Sequence, residues 1–360
     1  MSGAGPVAVR PELADVEPYG APQLEVPVRL NTNETAEPPP AAFLAELGAV
    51  VADLALHRYP DREAVALRSA LAAREGLDAD RVWVANGSNE VLLQLLQAYG
   101  GPGRRALGLR PGYSMYPELC RTSGTALDLV DLGPDGRPDL DAVAAVAAER
   151  DPSVVLLANP NNPTGALVGP DVVRALHDAV RGFVVVDEAY VEFAPDGASV
   201  RPLLDELPRL VVSRTFSKAF RLAGLRVGYL LGPAAVMADL RRVRLPYHLD
   251  AIAQRAAELA LAHEDAFLAH RAATVAERDR VAAALAALPG VVVHPSAANF
   301  LLVETPVVGL FDRLLARGVL VRDVAAAVGR PGAVRITIGT RDEDDALLAA
   351  VTAVLATARP

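Results

Sequence analysis

Cysteine is almost absent from this chain, in which Cys120 is the only one among 360 residues. A single thiol forms neither an internal disulfide nor a cysteine metal cluster. No histidine stands near Cys120 in the sequence to activate it, so we interpret it as a small, half-buried apolar residue. The six histidines show none of the spacings typical of metal sites, such as HxH or HExxH. No metal site is expected.

A basic stripe and a long apolar run are also missing. The net charge is -9, with 35 Lys and Arg against 44 Asp and Glu, and the two signs are mixed along most of the chain. Nucleic-acid binding needs a positive patch, and a membrane span needs about 20 apolar residues. The first ten residues lack the basic-then-apolar order of a signal peptide. We therefore expect a soluble cytoplasmic protein that binds neither nucleic acid nor membranes.

The composition that is present suits a large folded protein. Hydrophobic residues make up 52% of the chain and charged residues 22%, so a substantial core can form. A length of 360 residues exceeds the usual size of one domain. We expect an arm at 1–45 that joins the small domain, a large domain at 46–248 and a small α+β domain at 249–360.

Strands and helices alternate from residue 81 to residue 231. The strands are continuous apolar runs, which is typical of a mainly parallel sheet sandwiched by helices, so the expected fold class is α/β. The predicted strands cover 81–85, 106–109, 126–130, 153–158, 183–187, 209–213 and 227–231, and the helices 89–99, 139–149 and 170–180. C-terminal to this alternating region, the apolar residues of an alanine-rich stretch at 250–288 keep a helical spacing, and the stretch is predicted as one long helical region.

Polar groups follow several of these strands directly. In a doubly wound sheet, ligands bind beyond the carboxyl ends of the strands. Residues 86–90 lead into a helix and offer a phosphate cradle, and residues 111–116 offer an aromatic face. Residues 159–165 offer amides, 187–190 a carboxylate and a phenol, and 215–229 a lysine and an arginine.

Each of these groups has an ordinary structural explanation when taken alone. Ser88 is typical of a helix cap, Tyr113 of a rim aromatic, and Lys218 and Arg226 of surface cations. Together, however, they are the groups needed to hold a phosphorylated pyridine aldehyde, with Lys218 as a candidate Schiff-base nucleophile.

Ten short motifs carry a resemblance to a known family. The chain resembles the fold-type I pyridoxal-phosphate aminotransferases, and among them the histidinol-phosphate aminotransferases, from Tyr19 to about Leu355. The motifs are PYGAP (18–22), LNTNE (30–34), RYPD (58–61), NGSNE (86–90), NPNNPTG (159–165), DEAY (187–190), SKAFRLAGLRVGY (217–229), ANF (298–300), VRD (321–323) and RITIGT (335–340). The resemblance implies the fold-type I architecture, with a smaller α+β domain beside the large one.

The resemblance also implies roles around pyridoxal 5′-phosphate. Lys218 is expected to bind the cofactor covalently and to move a proton, and Asp187 to pair with the ring nitrogen. Asn162 and Tyr190 are expected to hold the ring 3-oxygen, and Tyr113 to stack on the ring. The expected phosphate ligands are Ser88, Asn89, Ser217 and Arg226.

Further expectations concern the substrate and the partner subunit. A homodimer is implied, in which Tyr59 of one subunit reaches the cofactor phosphate of the other. The expected substrate contacts are Tyr19, Asn33, Arg322 and Arg335. Arginine suits the anionic ends of the substrates because its fork bonds carboxylate or phosphate in a bidentate manner.

The activity implied is amino transfer between L-histidinol phosphate and 2-oxoglutarate, giving imidazole acetol phosphate and glutamate in histidine biosynthesis. Alternatives on the same scaffold are an aromatic amino-acid aminotransferase or a secondary-pathway oxidase or decarboxylase. A ligand-sensing regulator would carry a DNA-binding module, for which the arm leaves no room. A dinucleotide-dependent dehydrogenase is disfavoured because the glycines at 100–103 follow a helix and not a strand.

Two positions depart from the family pattern. Residues 35–38 read TAEP where the family often continues with Asn-Pro and an aromatic, and Arg221 stands where a small residue is common. Glu37 and Arg221 are expected to alter the charge at the entrance of the site. This leaves the identity of the amino donor and acceptor open.

Overall fold

The computed structural model describes residues 7–9, 13–14, 16–133 and 136–357. Residues 1–6, 10–12 and 15 of the predicted arm lie outside this description. Within the described ranges, no helix combines the length and the apolar character needed to cross a membrane.

Thirteen strands and thirteen α-helices are assigned in the described ranges. The strands are β1 (Val28–Arg29), β2 (Val82–Ala85), β3 (Arg105–Arg110), β4 (Ala126–Asp131), β5 (Val154–Ala158), β6 (Phe183–Asp187), β7 (Leu210–Thr215), β8 (Gly228–Leu231), β9 (Val292–Val293), β10 (Phe300–Glu304), β11 (Val319–Leu320), β12 (Arg322–Asp323) and β13 (Ala333–Thr337). The helices are α1 (Ala41–Ala52), α2 (Val65–Glu75), α3 (Gly87–Tyr99), α4 (Met115–Ser123), α5 (Leu140–Arg150), α6 (Pro170–Ala179), α7 (Ala234–Val243), α8 (Ala251–Ala262), α9 (Glu264–Leu268), α10 (Arg271–Ala286), α11 (Leu310–Leu315), α12 (Ala325–Val328) and α13 (Arg341–Thr357).

The large sheet has seven strands in the order β2-β8-β7-β6-β5-β3-β4. All neighbouring pairs are parallel except those that β8 makes with β2 and β7. The prediction of a mainly parallel sheet is confirmed. Strands β5, β6 and β7 are buried along almost their whole length, which explains why they read as unbroken apolar runs.

The small sheet is antiparallel, in the order β12-β13-β10-β9. Beside it, β1 of the arm pairs with β11 in parallel. Val28 and Leu30 of the arm pack into the same hydrophobic cluster as Leu301 and Ile336 of the small sheet. The arm therefore shares a core with this part of the chain.

The alanine-rich stretch is three helices and not one. Helices α8, α9 and α10 are separated near His263 and His270. Phe267 of α9 packs in the cluster of the large sheet, whereas Val281 and Leu285 of α10 pack in the cluster of the small sheet. The chain changes cores between these residues, so a single straight helix is excluded. We propose that the domain division lies near residue 270 instead of 249.

A buried ion-pair network fixes the turn after β6. The Arg214 guanidinium bonds Glu75 Oε1 at 2.9 Å and Glu188 Oε2 at 3.0 Å. It also donates to Ser199 Oγ at 2.7 Å, while Glu188 Oε1 accepts from the Val200 N–H at 2.6 Å. All three charged side chains are buried, so each needs the others. Because Glu188 follows the last residue of β6, the network holds the backbone at that strand end.

Replacing Arg214 with methionine should leave the buried Glu188 carboxylate without a cation, whereas Glu75 keeps its ion pair with Arg74. We expect the free energy of unfolding to fall by about 3–5 kcal/mol, measured by urea denaturation followed by circular dichroism. The matched control is Arg174→Met, which breaks an exposed ion pair with Glu206 and should cost about 1 kcal/mol or less. Equal losses in the two variants would show that the buried network does not stabilise the fold.

Candidate active site

A cavity of about 370 Å³ lies where the carboxyl ends of β5, β6 and β7 face the arm and the small sheet. The predicted site residues other than Tyr59 and Asn33 all line it. They are Tyr19, Ser88, Asn89, Tyr113, Asn162, Asp187, Tyr190, Ser217, Lys218, Arg226, Arg322 and Arg335.

One end of the cavity is built to receive an anion. Ser88 and Asn89 lie in the first turn of α3, where backbone N–H groups lack helical partners. Arg226 donates to Ser217 Oγ at 3.2 Å and approaches this turn closely. Gly87 has a φ of +79°, and a Cβ there would lie 2.5 Å from Arg226 Nη2, so any other residue would be strained and would displace the guanidinium. The helix N-terminus, the hydroxyls and the cation suit a phosphate dianion.

Asp187 is a buried carboxylate that lacks a full set of partners. Its side chain ends β6 and is 4% exposed. The Ala189 N–H and then the Tyr116 hydroxyl act to lower the pKa of Asp187, but Asp187 Oδ1 has no hydrogen-bond partner in the described part of the chain. Burial dominates and raises the pKa of Asp187 to about 7. A protonated ring nitrogen would supply the missing partner.

Lys218 reaches the cavity from the loop that follows β7, and it is the only lysine in the sequence. Its Nζ donates to the Thr32 carbonyl at 2.9 Å and lies 5.8 Å from the centre of the Tyr190 ring. Burial, and then the nearby Arg335 cation, lowers the pKa of Lys218 to about 7. A large fraction of the amine is thus neutral near neutral pH, as a nucleophile requires.

A row of hydrogen bonds holds the Tyr190 hydroxyl. It accepts from Asn33 Nδ2 at 3.0 Å and lies 3.4 Å from Asn162 Nδ2. Asn162 Oδ1 in turn accepts from Arg335 Nη1 at 2.7 Å. Asn33, expected to touch the substrate, is buried and does not line the cavity, and its side-chain Oδ1 accepts from Thr337 Oγ1 at 3.1 Å. Its geometry suits orienting Tyr190 better than contacting a substrate.

Two arginines from the small sheet complete the opposite wall. Arg335 donates to the Asn31 carbonyl at 2.6 Å, while its Nε has no partner in the described residues. Arg322 donates to the Gly20 carbonyl at 3.3 Å and its guanidinium lies 5.8 Å from the centre of the Tyr19 ring. With Arg226, these side chains make the cavity strongly cationic, which favours anionic ligands.

Tyr113 and Tyr19 supply the aromatic surface. Tyr113 donates to Asn89 Oδ1 at 3.2 Å and packs edge-on against Tyr116 at 5.4 Å, and burial raises its pKa above the usual value. Tyr19 shares a hydrogen bond of 3.0 Å with Ser114. Tyr113 therefore stays a neutral phenol whose ring borders the cavity.

Tyr59 lies away from this cavity, 81% exposed and stacked on Tyr247 at 4.4 Å. Glu37 and Arg221 are also outside the lining and pair with each other at 3.2 Å. Their expected effect on the charge at the entrance of the site stays a prediction. No group of three or more His, Cys, Asp or Glu side chains that could hold a metal occurs in the described ranges.

Several lining residues were missed by sequence reasoning. Glu34 lies at the cavity rim, where its Oε2 accepts from Thr32 Oγ1 at 2.8 Å, and its charge favours the protonated form of Lys218. Both belong to the LNTNE motif, which signalled the region but not the role of each side chain. The others are Ala21, Asn31, Ala158, Ala189, Thr215, Ala223 and Gly224.

Comparison with known proteins identifies the family. The family model described as aminotransferase class I and II matches residues 26–351. The histidinol-phosphate aminotransferase of Nocardia farcinica is 49% identical, with 96% of this chain and 91% of that protein aligned. The corresponding protein of Mycobacterium avium is 48% identical, with 97% and 89% aligned.

A solved structure agrees with the sequence comparison. The crystal structure of histidinol-phosphate aminotransferase from Sinorhizobium meliloti in complex with pyridoxal-5′-phosphate superposes with a TM-score of 0.89. It is 26% identical in sequence, and all of both chains is covered. The chain therefore belongs to the class I and II aminotransferases, and within them to the histidinol-phosphate aminotransferase family.

Proposed function

We propose that this enzyme transfers an amino group between L-histidinol phosphate and 2-oxoglutarate, giving imidazole acetol phosphate and glutamate. One observation carries the proposal. A single cavity joins a lysine of lowered pKa, a buried carboxylate with a missing partner and a phosphate cradle to two further arginines. As a member of its family, the enzyme is a pyridoxal-phosphate-dependent aminotransferase.

The residues present fit this cofactor. Pyridoxal phosphate supplies an electron sink that stabilises negative charge at the substrate Cα. Asp187 would keep a proton on the ring nitrogen, and Tyr190 with Asn162 would hold the 3-oxygen. Lys218 Nζ would attach to the cofactor and, once released, carry the proton that leaves the substrate Cα. Four side chains would hold the phosphate: Ser88, Asn89, Ser217 and Arg226.

Both proposed substrates are anions, which accounts for the second set of cations. Arg335 and Arg322 would bind the carboxylates of 2-oxoglutarate in one half-reaction and the alkyl phosphate in the other. Tyr19 stands between Arg322 and Ser114 and would border the same ligand. One pair of arginines thus serves two substrates, because the guanidinium fork accepts either anion.

A substrate comparison tests the proposed reaction. We expect kcat/KM for histidinol phosphate with 2-oxoglutarate to exceed that for phenylalanine or tyrosine by roughly 100-fold or more, since a phosphate dianion brings more negative charge to the arginines than the single carboxylate of an aromatic amino acid. Lys218→Ala should lower the rate by about 10⁴-fold or more. Lys218→Arg keeps a cation but has no primary amine, so its rate should fall by the same factor. Faster turnover of the aromatic amino acids would favour the aromatic aminotransferase alternative.

Capture of the cofactor should report the lowered pKa of Lys218. The neutral amine attacks an aldehyde, so the rate at which the cofactor-free protein takes up pyridoxal phosphate should rise with pH up to about 7 and then level off. Borohydride trapping followed by mass spectrometry measures this at the Lys218 peptide. A free peptide spanning residues 210–225 is the control, and its rate should keep rising to about pH 10. The same profile for both would contradict the perturbed pKa.

We also propose that the functional unit is a homodimer in which Tyr59 binds the cofactor phosphate of the other subunit. The support is the stacked pair of exposed rings, Tyr59 and Tyr247, each of which has an exposed leucine nearby in the sequence, Leu56 and Leu245. Exposed aromatic patches of this kind are typical of protein interfaces.

Hybrid dimers distinguish a contribution across the interface from one within a subunit. Lys218→Ala chains mixed with Tyr59→Ala chains should regain a wild-type site, because one subunit supplies Lys218 and the other supplies Tyr59. About half the mixed dimers should be hybrids, each with one intact site, as judged by turnover after differential-tag purification. If purified hybrids are no more active than Tyr59→Ala alone, Tyr59 does not act in trans.

A further inference from the structure

The arm forms hydrogen bonds with both the side-chain nitrogen and the backbone carbonyl of Lys218. The Thr32 carbonyl accepts from Lys218 Nζ at 2.9 Å, and Thr35 Oγ1 donates to the Lys218 carbonyl at 2.8 Å. Between these two threonines, Asn33 fixes the arm to the small sheet, since its N–H donates to Thr337 Oγ1 at 2.9 Å. The position of Lys218 thus depends on where this short segment of the arm lies.

Arg221 fixes the arm on the downstream side. Its guanidinium donates to the Pro38 carbonyl at 3.0 Å and to the Phe267 carbonyl at 3.2 Å, and pairs with Glu37 at 3.2 Å. It also lies 2.7 Å from His270 Nδ1, which is itself 2.7 Å from the Phe267 carbonyl, so the guanidinium and the imidazole meet at this carbonyl. The side chain is 8% exposed. One arginine therefore joins the lysine loop, the arm and the turn between α9 and α10.

The backbone of Arg221 supports a specific role. Its φ is +54°, a left-handed conformation that costs free energy for any residue with a Cβ, and its N–H donates to the Lys218 carbonyl at 2.9 Å. Arg221 and residues 35–38 are also the two departures from the family pattern, and here they contact each other. They form one structural unit, which we call the arm clamp.

We infer that Arg221 is a positioning residue, whose clamp on residues 37–38 keeps Thr32 and Thr35 in place against Lys218. The inference rests on the proposed function for its catalytic consequence. Loss of the clamp should disturb Lys218 and lower kcat. Arg335 keeps its bond to Asn162, which lies outside the arm, so KM should change less than kcat.

The test compares Arg221→Asn with wild-type holoenzyme. Asparagine tolerates the left-handed conformation but lacks the guanidinium, so the backbone is not strained further. A glutamate-specific protease should cleave after Glu34 about tenfold faster in the variant, because the arm opens more often. Cleavage after Glu149, at the exposed end of α5, serves as the internal reference and should not change.

Kinetics complete the test. We expect kcat of Arg221→Asn to fall about tenfold while KM for both substrates stays within about threefold. Arg221→Lys, which keeps the charge near Glu37 without the fork, should show intermediate values and provides the test if the asparagine variant does not fold. Arg174→Ala is the control for loss of an exposed arginine and should match wild type in both measurements.

The outcomes separate the two proposals. Unchanged cleavage at Glu34, or an equal rise at Glu34 and Glu149, would overturn the arm clamp as a positioning device. A larger effect on KM than on kcat would do the same. In a further outcome, the wild-type enzyme fails to transaminate histidinol phosphate while cleavage after Glu34 still rises selectively in the variant. That result would contradict the proposed reaction and would support the arm clamp.

Discussion

The structure depends on a carboxylate that its own chain does not fully satisfy. Asp187 ends a buried strand, and a buried charge without partners is costly, so the fold must hold it there by other means. The neighbouring Glu188 does this through its bonds to Arg214 and the Val200 N–H. The ion-pair network of Glu188 thus holds the strand end at which the unpaired oxygen of Asp187 lies. A ligand with a cationic ring nitrogen relieves the cost.

Burial acts on Asp187 and Lys218 in opposite directions. The carboxyl pKa rises to about 7 and the ammonium pKa falls to about 7, since desolvation disfavours the charged form of each. The same burial thus prepares both a carboxyl group that gains from pairing with a ring cation and an amine that attacks a carbonyl. The arginines around the cavity restore the affinity for anions that it would otherwise lack.

Much of this site could be predicted because polar and charged residues directly follow apolar strands. Asp187 and Lys218 stand out for that reason, and the parallel sheet brings their strand ends together. Helix α4 was missed because Pro117 and its neighbouring aromatics hide its helical spacing. The division of the alanine-rich stretch was missed since alanine packs into either core. The role of Thr32 was invisible because it acts through its carbonyl, which every residue has.

Because Lys218 is the single lysine, chemical modification of a lysine side chain is restricted to one position. All other basic side chains that are charged at every physiological pH are arginines. Acetylation, glycation or attachment of a protein tag to a lysine side chain could occur only at Lys218, and that amine is buried beneath the arm. The one side-chain amine therefore lies in the pocket where the proposed chemistry uses it, and no lysine elsewhere in the sequence can react with aldehydes.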